Sequence, residues 1–556
     1  MKRLPIGYSD YKHIIDNDFY YLDKTLLIKE IVLYGGAVTL IPRPRRFGKT
    51  LNLSMLHYFF EKTEESNTYL FEDKKIWQDS AMRDLQGQFP VIFLSLKSAR
   101  IAQWQETYET IKLVIATEFQ RHRYLLDQNH LNQDDANIFQ RIINRSASDA
   151  DYRASLLHLS RFLHNYHKKK VILLVDEYDT PLHDAIVNGY YNEAITFMRS
   201  FLGDALKDNK YIERGIITGI LRTAKEGIFS GLNNLTVFSV LSKQCADSFG
   251  FTQEEIDQLL HDYNLTTISD DFKTWYNGYN IGTYKIYNPW SSLECVSNKG
   301  TFKPYWVNTS ENTLISTIIA TSKVQIQDAC GELIKGNSLP NIHIEEKMTL
   351  PGMLQDENAI WSLLLFSGYV TPIVITLDDL GNTLCTLTLP NRELLSLFNN
   401  IIISLFNKGL EQNNIRYLKT ALIEKDGETL EKLIAKFIEH SMSYHDISEN
   451  EPEKSYHLFV LGLFMICSDI YSVQSNRESG YGRFDIMLIP HNKTLPSIII
   501  EFKKEDKKET MEECADRALK QVKDKKYVTE LHNRGITNIA FFGIACYKKE
   551  ILLKQE

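Results

Sequence analysis

Two short aliphatic runs, each ending in a cluster of charge, constrain this chain more than anything else in it. Ala37 to Ile41 runs directly into Pro42-Arg43-Pro44-Arg45-Arg46-Phe47-Gly48-Lys49-Thr50, and Leu51 to Lys62 then reads as a helix. Much later, Val171 to Val175 ends in Asp176-Glu177. A buried strand feeding a helix start presents backbone N–H groups and the positive end of the helix dipole, which together attract phosphate. In that setting Lys49 would reach the β- and γ-phosphates of a nucleotide, and the Thr50 hydroxyl would ligate Mg²⁺. Asp176 would hold the same ion through water, and Glu177 would polarise the attacking water. A strand tip suits both, because ligands bind at the carboxyl ends of parallel strands.

The loop departs from the usual pattern. Arg43 stands where the first glycine is expected, and Pro44 has no N–H to donate. Beyond Gly48, such a loop would rely on the cations Arg45 and Arg46. Alone, Gly-Lys-Thr also reads as a basic turn before a helix, and Asp-Glu as an ordinary strand end. The two in this order, on two strands, predict nucleotide binding. A further strand, Arg214 to Ile220, carries Thr218, which fits a γ-phosphate sensor, and leads to Arg222. Arg222 reads equally as a phosphate contact or as a structural ion pair. With Val91 to Leu96, these runs predict a parallel sheet with helices on its faces, such as Ile101 to Leu126.

The chain has 556 residues, 43% hydrophobic and 24% charged, which excludes a disordered or fibrous protein and predicts three or four domains. A texture change near residue 250 and the Ser448-Glu-Asn-Glu-Pro stretch divide it into 1–250, 251–440 and 441–556. A net charge of −8 excludes a global basic footprint for nucleic acid, so any such contact must be local. Seven cysteines, from Cys245 to Cys546, form no Cys-x-x-Cys pair, which predicts a reducing compartment without disulfides or a thiolate zinc site. No signal-peptide core follows Met1, and no aliphatic run approaches the ~18 residues a membrane span needs. The expectation is a soluble cytoplasmic protein without a membrane partner; oligomeric state is left open.

In the middle region, Glu357 to Phe366 reads as a helix. Pro372 to Leu377 and Thr383 to Leu389 read as a hairpin, and Asn391 caps the helix after it, a winged-helix-like order. Asn413 to Glu439 is helical and charged. The last region reads as α/β. A strand begins around Asp485, turns at His491 to Pro496, and returns as Ser497 to Lys503, with Glu501 and Lys503 on one face. Asp485 can then lie beside Glu501. Two carboxylates with a lysine suit a metal-dependent phosphodiesterase: the carboxylates hold Mg²⁺ through hard oxygens and the lysine positions water or offsets charge. The competing reading is a cross-strand Glu–Lys pair on a solvated face.

Residues 1 to about 250 resemble the AAA-ATPase-like family of many bacterial proteins. The resemblance rests on Leu4-Pro-Ile-Gly-Tyr, Tyr20-Tyr-Leu-Asp-Lys-Thr, Arg43-Pro-Arg-Arg-Phe-Gly-Lys-Thr-Leu-Asn-Leu-Ser, Asp176-Glu-Tyr-Asp and Thr218-Gly-Ile-Leu-Arg. It implies a P-loop NTPase in which this glycine-poor loop is the expected form, with ATP as ligand and Tyr21 to Lys24 near the nucleotide, a stretch that reads at least as well as an N-terminal strand and turn packed on the core. The tail resembles the PD-(D/E)XK nuclease superfamily through Glu453-Lys-Ser-Tyr-His457, Glu478-Ser-Gly-Tyr-Gly-Arg483, Asp485, Glu501-Phe-Lys503 and Gln521. That implies a restriction-endonuclease-like fold acting on DNA or RNA with Mg²⁺, with Glu453 as accessory ligand and Gln521 supporting the site or contacting DNA. Glu453 reads equally well as a solvent-facing residue near a helix start. Residues 441–556 carry a formal charge of only −1, which leaves a nucleotide-switched sensor or scaffold, binding without cutting, as the alternative function.

Overall fold

In the computed structural model the N-terminal aliphatic runs lie side by side as parallel strands. They are β1 (Val38–Pro42), β2 (Val91–Ser95), β3 (Val171–Asp176) and β4 (Ile212–Gly219). A three-residue strand that periodicity does not announce, β5 (Leu235–Val237), completes the order β2-β3-β4-β1-β5. All residues of β1 and β3 are buried, as expected of strands covered on both faces. The structure describes residues 1–220, 234–306, 315, 318–319, 324–346, 356–406, 412–441, 463–464, 467, 470–475, 478–479, 482–483, 485–504, 509–524, 528–547 and 550–556. These residues fall into two compact units, Met1–Leu314 with Pro340–Leu394, and Ile315–Leu339 with Leu395–Glu556.

In the first unit, Ser95 lies opposite Asp176 and Ile41 opposite Thr218, so the carboxyl ends of β1 to β4 share one edge. Helix Lys49–Phe60 starts at that edge. The helix expected over Ile101 to Leu126 runs only from Trp104 to Arg121 and passes into a 3₁₀ turn. Its start is displaced because the Ile101 carbonyl is taken by the Tyr190 and Thr107 hydroxyls. A hairpin of β6 (Tyr279–Ile281) and β7 (Tyr284–Ile286) follows, then β8 (Leu339–His343), β9 (Thr371–Leu377) and β10 (Thr383–Thr388). The helix Glu357–Phe366 precedes the β9–β10 hairpin as expected, and β8 pairs with β10 as a third strand. Asp378 fixes the hairpin turn by accepting the N–H groups of Leu380 and Asn382.

The second unit contains β11 (Tyr471–Ser475), the short pair β12 (Glu478–Ser479) and β13 (Gly482–Arg483), β14 (Ile486–Pro490), β15 (Ser497–Lys504), β16 (Ile539–Tyr547) and β17 (Glu550–Gln555). The main sheet runs β11-β14-β15-β16-β17, with only β15 and β16 parallel. Its side chains alternate between two cores. Leu488, Ile498 and Ile500 pack with Leu430, Ile434 and Phe437 of helix Gly427–Ser441. Met487, Ile489 and Ile499 pack with Val522 and Leu531. The charged stretch from Asn413 is two helices, Gln412–Glu424 and Gly427–Ser441, broken where Lys425 takes a positive φ and Asp426 caps Thr429. All seven cysteines are buried. Among the described residues, no helix is long and apolar enough to cross a membrane.

Candidate functional site

The loop after β1 is held by the residue that breaks its pattern. Arg43 is fully buried. Its Nη1 donates to the carbonyls of Pro42 (2.9 Å) and Phe238 (2.6 Å), its Nη2 donates to that of Cys245 (2.9 Å), and its guanidinium lies over the Phe249 ring. Burial lowers its pKa to about 10, which leaves it charged at neutral pH. Arg43 is therefore a strut from β1 to the Phe238–Phe249 segment, occupying the place where a glycine would bring backbone to phosphate. The turn closes at Gly48, which caps helix Lys49–Phe60 at φ 84°, a left-handed conformation that favours glycine. Arg46 is also left-handed, at φ 64°.

Lys49, almost fully buried, donates from Nζ to the carbonyls of Arg43 (3.2 Å) and Pro44 (3.3 Å) and lies 3.7 Å from Glu177 Oε1. The Thr50 hydroxyl donates to Asp176 Oδ2 (2.7 Å), and the Thr218 hydroxyl to Asp176 Oδ1 (2.7 Å). Ser95, from β2, donates to Asp176 Oδ2 at 3.4 Å. Thus Lys49, Thr50, Asp176, Glu177 and Thr218, distant in sequence, meet at one sheet edge. Burial and the neighbouring Glu177 carboxylate push Asp176 above the ordinary carboxylate range, against those hydroxyl bonds. Burial also pushes Glu177 upward, but Lys49, with help from Thr180 and Arg100, outweighs it and holds Glu177 low. A hydroxyl and a carboxylate 2.7 Å apart are hard oxygen donors of the kind Mg²⁺ takes, so the residues present fit that ion.

Several partners were not legible as such. Asp179 accepts the N–H of Ile220 (2.8 Å) and ties the end of β4 to the turn after β3. Gly219 permits this approach: a Cβ there would meet Asp179 Oδ1 at 2.6 Å and the Tyr178 ring at 2.7 Å. Aromatics from farther along pack on the loop. The Arg46 guanidinium lies 4.4 Å from the Trp290 ring centre, and Trp306 Nε1 donates to the Arg45 carbonyl (3.2 Å). Buried Glu393 links the two tryptophan segments by accepting from Ser291 Oγ (2.8 Å) and Trp306 N (2.6 Å).

In the second unit, the Ile486–Ile500 pair puts Asp485 opposite Glu501 one step farther along the antiparallel ladder. Asp485 Oδ2 accepts the N–H of Phe502 (2.8 Å). Glu501 is buried, and its Oε1 accepts from Lys503 Nζ (3.3 Å) and from Gln521 Nε2. Gly543 explains how Gln521 gets there. It sits beside Glu501 on β16, and a Cβ at Gly543 would meet Leu519 N at 2.5 Å and Ala515 O at 2.6 Å. With glycine at that point, helix Met511–Asp524 lies directly on the sheet. Asp485 and Glu501 offer hard oxygens that suit Mg²⁺. Among the described residues, no group of three or more His, Cys, Asp or Glu side chains could hold a metal ion.

Comparison with known proteins bears on both sites. Residues 5–229 match the family described as "Predicted AAA-ATPase", and residues 451–556 match the PD-(D/E)XK nuclease superfamily. The chain thus carries an AAA-ATPase-like region and a C-terminal region of the PD-(D/E)XK nuclease superfamily. A protein of Azotobacter chroococcum mcd 1, described as an uncharacterized protein in the vnfD 5′ region, is 24% identical over 544 residues, covering 96% of this chain and 94% of its own. In the AAA-ATPase-like region, the Tyr21 to Lys24 stretch serves packing. Lys24 bonds Glu255 (2.6 Å) and the Asp247 carbonyl (2.7 Å), and Asp23 accepts from Thr25 and Lys75. Arg222, and Glu453 in the nuclease superfamily region, lie outside the described residues.

Proposed function

We propose that the protein binds and hydrolyses ATP in its first unit, and that nucleotide state governs Mg²⁺-dependent cleavage of a nucleic-acid phosphodiester, DNA or RNA, in its second. The observation that carries the reading is the convergence of Lys49, Thr50, Asp176 and Glu177, through the 2.7 Å Thr50–Asp176 bond and the 3.7 Å Lys49–Glu177 pair. During hydrolysis the water oxygen bonds to the γ-phosphorus as the bond from that phosphorus to the β–γ bridging oxygen breaks. The bonding pair leaves with ADP, and a proton of the water passes to Glu177. Glu177 suits this task because its low pKa keeps it ionised at neutral pH. Lys49, Arg45 and Arg46 offset phosphate charge, Gly48 lets the loop turn into the helix, and Thr218 reports on the γ-phosphate through Asp176. Arg222 is assigned a phosphate contact.

In the second unit Asp485 and Glu501, with Glu453 as accessory, would hold the ion. Lys503 offsets charge growing on the phosphate oxygens, and Gln521 fixes the orientation of Glu501. Mg²⁺, when bound at either site, supplies positive charge against phosphate oxygens. ATP binding measured directly tests the first half. Lys49→Ala should lose it, whereas Glu177→Gln should bind ATP and hydrolyse it about 10²–10⁴-fold more slowly. Normal turnover by Glu177→Gln would remove that residue from its role. The formal charge of −1 across residues 441–556 favours a second reading, a nucleotide-switched sensor or scaffold whose nuclease-like domain binds without cutting. Retention of oligonucleotides with no cleavage in Mg²⁺ or Mn²⁺ would support that reading over the first.

A further inference from the structure

We propose that Glu393 is a positioning residue: it sets the loop after β1 and, through the helix it begins, passes the state of that loop into the second unit. The proposal rests on the ATP-governed cleavage read above. Four successive loop residues lean on chain from much later in the sequence. The Arg45 carbonyl accepts from Trp306 Nε1 (3.2 Å), the Arg46 guanidinium lies 4.4 Å from the Trp290 ring centre, and the buried Phe47 ring meets Tyr279 edge-on at 5.0 Å. Pro44 packs so closely on Gly368 that a Cβ added there would come within 2.8 Å of the Pro44 Cβ. Arg46, at φ 64°, holds a backbone conformation that a non-glycine residue keeps only when its surroundings impose it. Both tryptophan segments end on one carboxylate. Ser291, next to Trp290, donates its hydroxyl to Glu393 Oε2 (2.8 Å), and the Trp306 N–H donates to Glu393 Oε1 (2.6 Å). Glu393 is fully buried, so these bonds are made out of reach of competing water.

Glu393 lies in the first turn of helix Arg392–Phe406. Asn391 fixes that end of the helix: its Oδ1 accepts the Leu394 N–H (3.1 Å), and its Nδ2 donates to the Asn277 carbonyl (2.9 Å). The first unit ends at Leu394, and the same helix runs on into the second, where Leu397, Phe398 and Ile401 are buried. Backbone hydrogen bonds make a helix move as one piece, so a displacement of its first turn is carried along its length. A phosphate and the Trp290 ring compete for the Arg46 guanidinium, which gives the loop and the tryptophan segments two arrangements. Glu393 is the group on which both segments and the helix converge, so it ties that choice to the helix.

The test uses the full-length chain with Glu393→Ala, Glu393→Gln and Ser291→Ala. It measures ATP turnover, tryptophan fluorescence, thermal unfolding, and cleavage of a labelled oligonucleotide with and without ATP. Glu393→Ala should raise KM for ATP about 10–100-fold with kcat largely kept, since the loop holds phosphate in ground and transition states alike. Its ratio of cleavage rates with and without ATP should fall toward one, and the tryptophan response to ATP should shrink. Glu393→Gln should recover all three, because an amide can accept from the Trp306 N–H and donate to the Ser291 hydroxyl. Ser291→Ala removes one of the two bonds and should fall between, which keeps the test decisive if Glu393→Ala does not fold. A wild type whose cleavage ignores ATP would overturn the coupled reading itself and this inference with it. With a responsive wild type, a Glu393→Ala or Ser291→Ala chain that keeps the wild-type KM and response would overturn the inference alone. So would a loss of response that merely tracked a lower unfolding temperature and that Glu393→Gln did not rescue, because that pattern belongs to a structural carboxylate.

Discussion

Arg43→Gly would restore the glycine that ordinary phosphate-binding loops carry, yet the structure predicts harm. The substitution deletes three hydrogen bonds to the carbonyls of Pro42, Phe238 and Cys245, and removes the guanidinium from the Phe249 ring. Each buried acceptor left unpaired costs about 1–3 kcal/mol. Water entering the vacated space would recover part of that loss, and the loop would gain backbone freedom in the unfolded chain. A net loss of about 3–5 kcal/mol is expected, within the range for removing a buried, bonded charge. At roughly 2 °C per kcal/mol for a large domain, calorimetry should show the transition that includes β1 shifted down by roughly 6–10 °C. Nucleotide affinity, read below that transition, should fall as well, because Lys49 bonds the carbonyl of residue 43. A variant as stable as wild type, binding nucleotide equally well or better, would refute the view of Arg43 as a strut.

Three further outcomes are expected. Asp176 has its pKa raised by burial and Glu177, and it must be ionised to hold a cation. The Mg²⁺ dependence of nucleotide binding should therefore weaken on acidification at a higher pH than an ordinary aspartate dictates, and calorimetry in buffers of different ionisation enthalpy should show proton release on binding. Gly543→Ala drives a Cβ to 2.5 Å from the Leu519 nitrogen, so helix Met511–Asp524 must shift. Urea titration should show about 1–3 kcal/mol lost, and cleavage should fall even where folding survives, because Gln521 leaves Glu501. Trp290→Phe keeps an aromatic face for Arg46 but removes an indole; if nucleotide draws Arg46 off that ring, the fluorescence response of wild type to ATP should shrink in this variant.

The parts of the fold that showed in the sequence are those with a local cause. Strands buried on both faces must be nearly continuous in aliphatic residues, so β1, β3 and the core of β4 stand out, and the charged residues at their tips mark one sheet edge. The hairpin β14–β15 showed for the same reason, since its side chains enter a core on each face. What did not show depends on partners far away in the chain. β5 is three residues long, too short for a period. Nothing around Arg43 says that its guanidinium is buried under Phe249, because that ring and two of its three acceptors lie about two hundred residues later. Nothing in the sequence near Trp290 or Trp306 says that they lie against Arg46 and the Arg45 carbonyl. Gly543 left a signal that was available, a glycine inside an apolar strand, but its meaning depended on knowing that a helix crosses there.

The most direct test of the account is a cleavage assay on labelled DNA and RNA oligonucleotides in Mg²⁺, with and without ATP, comparing wild type, Asp485→Ala and Lys49→Ala. The account predicts that wild type cuts, that its rate changes with ATP, that Asp485→Ala cuts nothing while still binding ATP, and that Lys49→Ala no longer responds to ATP. Cleavage that persists in Asp485→Ala, or that responds to ATP in Lys49→Ala, would contradict it.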